Sequence, residues 1–225
     1  MDYQAIRLSL TLASATTLIL LAIGLPIAYW LASSRWRFKF LVEAVVALPL
    51  VLPPTVLGLY VLLAIGPRSP LGRAYEFASG SRLAFSFEGL LLASVLYSLP
   101  FAVQPFAAAI GGVDRRLIEA SWCLGASRSS TFFRVIAPLA LPGIVTGMVL
   151  SFAHTLGEFG VVLMVGGNLP GATRTVSIAI YDQVQALDYA AAFSTSLLLL
   201  AVSFTVLAVT YSLQRRVLAI GLLSR

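Results

Sequence analysis

The chain has 225 residues, of which 59% are hydrophobic and only 11% charged, and its formal net charge is +6. A soluble domain carries about 25% charged residues, so folding in water would leave far too much apolar surface exposed. One cysteine, Cys123, excludes an intramolecular disulfide framework, and the basic excess in so apolar a chain points to membrane topology rather than to nucleic-acid binding.

Crossing the hydrocarbon layer takes about 20 mostly apolar residues. Five stretches qualify: 5–32, 40–65, 84–110, 132–166 and 190–213. They predict an all-α integral membrane protein with five transmembrane helices in a single domain over 1–225. The first run follows Met1-Asp2-Tyr3-Gln4, which is acidic rather than basic. Its apolar stretch, Ile6 to Ala32, exceeds the roughly 7–15 residues of a signal-peptide core, so it is read as a retained span. The fourth run is long enough for a helix with an amphipathic lead-in or a broken tail.

The basic residues orient the chain. Arg35, Arg37 and Lys39 lie between spans one and two, and Arg115, Arg116, Arg128 and Arg134 between spans three and four. Arg215, Arg216 and Arg225 follow span five. Arg7, Arg68, Arg73, Arg82 and Arg174 fall on the other side. The richer side belongs in the cytoplasm, which places the N-terminus outside and the C-terminus inside.

Pro49, Pro53 and Pro54 interrupt span two, and Pro100 and Pro105 interrupt span three. Each removes a backbone donor and frees a carbonyl. Such breaks survive in lipid where other helices or a watery cavity satisfy the backbone. Two readings stay open for Leu48-Pro49-Leu50-Val51-Leu52-Pro53-Pro54: a simple kink, or an irregular element beside a pathway.

Between spans three and four, residues 113–131 form a distinct loop. Asp114 is suited to cap a helix and Gly125 to stop one. The helix between them, of about ten residues or about 15 Å, is too short to span. Leu117, Ile118, Ser121, Trp122 and Leu124 give it an apolar face of the kind that lies in a partner's groove. A second basic, amphipathic stretch follows and ends at Pro138.

Glu119-Ala120-Ser121, then Gly125, Val135, Ala137-Pro138 and Leu141-Pro142-Gly143 resemble the EAA loop of permease subunits in bacterial ABC importers. Ser121, Val135 and Ala137 depart from that pattern, whereas Glu119, Gly125 and Pro138 match it. The proline-rich run of span two, Phe152 to Gly160, and Gly166-Gly167-Asn168 are similar to molybdate and sulfate permeases. Ile180 to Gln185 and Pro67 to Gly72 tilt toward the molybdate branch. The resemblance implies a type I ABC importer permease fold in a bacterial inner membrane, with a cytoplasmic coupling helix. It further implies a homodimer, two cytoplasmic ATP-binding subunits and an extracytoplasmic binding protein that delivers molybdate, sulfate or tungstate. Glu119, Ala120, Gly125 and Arg128 are the implied ATPase-coupling residues.

Residue types missing from the chain narrow the function. A P-loop needs a lysine after a glycine-rich turn, and the one lysine, Lys39, sits in Trp36-Arg37-Phe38-Lys39-Phe40. ATP must therefore bind elsewhere; no cofactor and no catalytic residue is expected. The spans hold almost no fixed positive charge, so a passing oxyanion must rely on hydroxyls, backbone amides and water, with selectivity on the delivering protein. His154, the sole histidine, and Glu158 lie one turn apart in an apolar stretch. Intramembrane ionisable groups are functional candidates, and the i,i+4 spacing allows either a gate or a structural pair. Two ligands are too few for a metal. A secondary transporter would need paired intramembrane charges or an internal repeat, and a membrane enzyme a catalytic constellation; the chain offers neither.

Overall fold

The computed structural model describes residues 2–223, and their side chains through residue 212. All regular elements among the described residues are helical. Arg215, Arg216 and Arg225, counted above for orientation, lie outside the described side chains.

Helix α1 (Tyr3–Ser33) starts where the Asp2 carboxylate accepts the Ala5 amide at 3.0 Å. Its inward stripe of Ala5, Ser9, Leu12, Ala13, Thr16, Leu20, Gly24, Ala28 and Leu31 follows the helical period. Hydroxyls off that stripe bond back to their own helix, as Thr11 does to the Arg7 carbonyl at 2.8 Å. The expected span over 40–65 is two helices, α2 (Lys39–Val51) and α3 (Pro54–Ile65), meeting at 113°. Pro49 is absorbed within α2; the bend comes at Leu52, extended at φ −73° and ψ 133°, followed by Pro53 and Pro54. Two successive residues without an N–H cannot continue a helix, but Pro54 suits the first position of a new one.

A short helix, α4 (Pro70–Ser79), precedes α5 (Phe87–Gly111), whose Pro100 and Pro105 leave it unbroken. Helices α6 (Arg115–Cys123) and α7 (Arg128–Thr131) follow, then a π-helical turn over Phe132–Ile136 and α8 (Ala137–Gly157). Arg128–Gly157 thus forms one long apolar stretch with an amphipathic lead-in. The fourth run does also have a broken tail: α8 ends at Glu158 and α9 (Gly160–Gly166) restarts. Last come α10 (Val176–Gln185) and α11 (Tyr189–Leu223).

Helices α1, α5 and α8 form the central bundle around Leu20, Val103, Phe106, Ile110, Ile136 and Ile144. Tyr29 meets Phe132 edge-on at 5.0 Å, which sets the end of α1 beside the α6–α7 segment. At the opposite end, the Val176 amide donates to Ser9 Oγ at 2.8 Å, and Arg174 reaches Asp182 at 3.4 Å and Asp2 at 4.0 Å. A second cluster joins α3, α5 and α9 through Leu57, Val61, Ile65, Ala93, Val161 and Val165. The long α11 is mostly bare, with 11% of its apolar window buried.

Lipid tails are as apolar as leucine, so packing rather than water exclusion holds such helices together, and small residues let them approach. The crossing of α3 and α9 shows this. A Cβ at Gly58 would stand 2.7 Å from Met164 Cβ and 3.2 Å from Val161 Cα, and one at Gly160 would stand 2.7 Å from Pro54 Cβ. The two breaks in the bundle are therefore adjacent. Gly58→Val is expected to destabilise the purified protein by about 1–3 kcal/mol through overpacking, read as a lowered thermal midpoint in detergent.

Candidate functional site

Two regions carry the residues singled out from the sequence. The first is the α6–α7 segment. The Asp114 carboxylate accepts the Arg116 amide at 2.9 Å and starts α6. Gly125 takes φ +81°, a conformation that L side chains rarely adopt, and turns the chain out of α6. Ser127 Oγ accepts the Ser130 amide at 3.2 Å and starts α7 at Arg128. Capping at both helix starts and a left-handed stop are thus local chemistry.

No residue of α6 is buried. It stands off the end of the bundle, steadied by Ser121 Oγ, which lies 2.9 Å from the buried Thr131 Oγ1, and by half-buried Ile118 against the central core. Leu117 and Trp122 are each 48% exposed and Leu124 is 89% exposed, so three residues of the face expected from the sequence are uncovered while Ile118 and Ser121 turn to the bundle. Glu119 also faces outward, where its carboxylate accepts Arg115 Nε at 2.8 Å. Ala120, Gly125 and Arg128 are exposed beside it, as is the thiol of Cys123. The four residues read as a coupling set thus share one exposed segment.

The second region is the end of α8. His154 and Glu158 do not bond to each other there, because Glu158 has left the helix: its backbone is extended at φ −67° and ψ 137°. Its carboxylate instead accepts the Val161 amide at 2.8 Å and lies against the Phe159 and Gly160 amides. That satisfies the first donors of α9, which would otherwise be unpaired among apolar side chains. His154 turns to α5. Its ring stacks on Phe101 at 3.9 Å between centroids and tilts against Tyr97 at 4.8 Å. Nδ1 lies 3.0 Å from Ser98 Oγ, which in turn lies 2.9 Å from Thr155 Oγ1. The expected pair is therefore two groups with separate partners.

Sequence reasoning missed Ser98, Tyr97 and Gln104. The available signal was polar spacing: 97 and 104 stand two turns apart on one side of α5. Among the described residues no group of three or more His, Cys, Asp or Glu is placed to hold a metal ion.

The chain is 52% identical over 214 residues to the molybdenum transport system permease protein ModB of Azotobacter vinelandii, covering 95% of each chain. To the protein of the same name in Escherichia coli (strain K12) it is 41% identical over 185 residues, covering 82% of this chain and 80% of that one. Its fold matches a chain of a bacterial ABC transporter involved in the import of the acidic polysaccharide alginate, with a TM-score of 0.77 at 18% identity over 95% of this chain and 78% of that one. The family model for the binding-protein-dependent transport system inner membrane component matches residues 24–219, and the chain belongs to that family.

Proposed function

We propose that this chain is the membrane-spanning permease subunit of an ATP-driven importer that moves molybdate into the cytoplasm. The observation that carries this reading is the 52% identity, over 95% of both chains, to a molybdenum transport permease. Lys39, the one lysine, follows no glycine-rich turn, so hydrolysis belongs to a separate ATPase subunit. An extracytoplasmic binding protein delivers the anion. The working unit is a homodimer of this single-domain permease over two ATPase subunits, and the bare flank of α11 is consistent with a second subunit. The basic α6–α7 end lies in the cytoplasm and the start of α1 outside.

In this reading α6 is the coupling element. A nine-residue helix with no buried residue, an uncovered apolar face and capped ends has the shape of a rigid peg. Glu119 and Arg128 offer charged contacts, Ala120 lets a partner surface come close, and Gly125 holds the angle between α6 and α7. Because Arg115 already neutralises Glu119, docking exchanges one ion pair for another rather than burying a lone charge.

Uptake of radiolabelled molybdate by cells lacking their own permease tests the cargo. Expression of this chain with its ATPase and binding protein is expected to restore uptake, and sulfate is expected to compete less well. Restoration of sulfate uptake alone would reassign the substrate. Glu119→Lys is expected to insert normally but to reduce uptake at least about tenfold, the cost of one like-charge contact at a docked surface. Uptake at the level of the unaltered chain would remove Glu119 from the coupling surface.

A further inference from the structure

Tyr97 Oη, the Gln104 amide and His154 Nε2 have no hydrogen-bond partner among the described residues, and none is sealed inside the bundle. Tyr97, Phe101, Gln104 and Ala108 follow the helical spacing along one side of α5, and His154 of α8 lies over Tyr97 and Phe101. Gln104 lines a cleft of about 430 Å³ that runs between α1, α2 and α5 from the Lys39–Glu43 ion pair. Hydrocarbon offers such groups no partner, and leaving each bare there would cost several kcal/mol. This side of the bundle therefore faces water or another polar surface rather than lipid.

The hydrogen bonds around His154 decide what it offers to that side. Thr155 Oγ1 and Ser98 Oγ have one hydroxyl proton each, and their only partners among the described residues are each other and His154 Nδ1. If Nδ1 donated to Ser98, and Ser98 to Thr155, the Thr155 proton would be buried with no acceptor, which is costly. If Thr155 donates to Ser98 and Ser98 to Nδ1, every proton in the chain is used. A neutral imidazole then carries its proton on Nε2. Ring stacking on Phe101 holds that N–H in place.

We propose that the Tyr97–Gln104–His154 side of α5 and α8 is a wall of the translocation passage, and that His154 Nε2–H is the hydrogen-bond donor offered to the oxyanion in transit. This rests on the oxyanion reading above. A tetrahedral oxyanion has only acceptors, and Nε2–H, Tyr97 O–H and the Gln104 amide supply neutral donors without a fixed positive charge. Neutral donors suit passage, since a site must be favourable enough to enter and weak enough to leave. Glu158 is 8% exposed and its carboxylate is turned into the amides that open α9, while its charge is felt at Tyr97.

The test uses the whole complex of permease, ATPase subunits and binding protein in liposomes. His154→Phe keeps an aromatic ring against Phe101 but removes the donor; His154→Gln restores an N–H near the Nε2 position. With both variants assembling as the unaltered complex does by size exclusion, His154→Phe is expected to lower molybdate uptake about tenfold or more, as loss of a hydrogen bond to an anion implies. His154→Gln is expected to recover most of it. Because the chain has one histidine, selective ¹⁵N-histidine labelling of the permease reads one ring, expected as the Nε2–H tautomer. Uptake by His154→Phe equal to that of the unaltered complex, equal loss in both variants, or an Nδ1–H tautomer overturns the assignment. An unaltered complex that moves no oxyanion overturns the transport reading and this one with it.

Discussion

The Val161 amide donating to the Glu158 carboxylate at 2.8 Å is what allows α9 to start afresh inside an apolar bundle, just past the end of α8. Without water, an opened helix end must be closed by the protein itself. Glu158 closes this one, α9 begins in a new direction, and Gly160 brings it against Pro54 at the start of α3. The other break is built from the opposite chemistry. Pro53 and Pro54 have no N–H to leave unpaired, so α3 starts with fewer donors to satisfy. One break supplies an acceptor, the other removes donors, and the two helices they release pack on each other.

That arrangement divides the molecule by rigidity and by chemistry. The central bundle of α1, α5 and α8 is continuous and close-packed. At one end α6 projects with its apolar face uncovered. At the other, Arg174, Asn168, Asp182 and Asp2 tie the segment before α10 to the start of α1. Between them, Tyr97 and Gln104 of α5 and His154 of α8 carry polar atoms with no partner among the described residues. In the reading proposed above these would be the input surface, the passage and the opposite end, and each carries charged or polar residues.

Much of this was legible in the residues because the causes are local. Asp114 and Gly125 bound α6 as capping chemistry requires, and the apolar runs became helices with shifts of a few residues at their ends. The prolines were harder. Pro49, Pro100 and Pro105 sit within helices while Pro53-Pro54 turns the chain through 113°, and a proline's presence does not say whether neighbours will accept the freed carbonyl. The His154–Glu158 spacing misled for a related reason. An i,i+4 pair presumes an unbroken helix, whereas the fourth run breaks at Glu158, where Gly160 lies against Pro54. Ser98 was invisible because a serine in a span usually bonds back to its own helix; only the fold brings it to His154.

Cys123 ends α6 with its thiol exposed, and it is the chain's one cysteine. The segment proposed to meet the ATPase subunits thus carries a single reactive handle supplied by the natural sequence. A fluorophore or spin label there would report docking from one known position. Two copies in a complex would give one inter-label distance, so movement of the input surface can be followed without altering a residue.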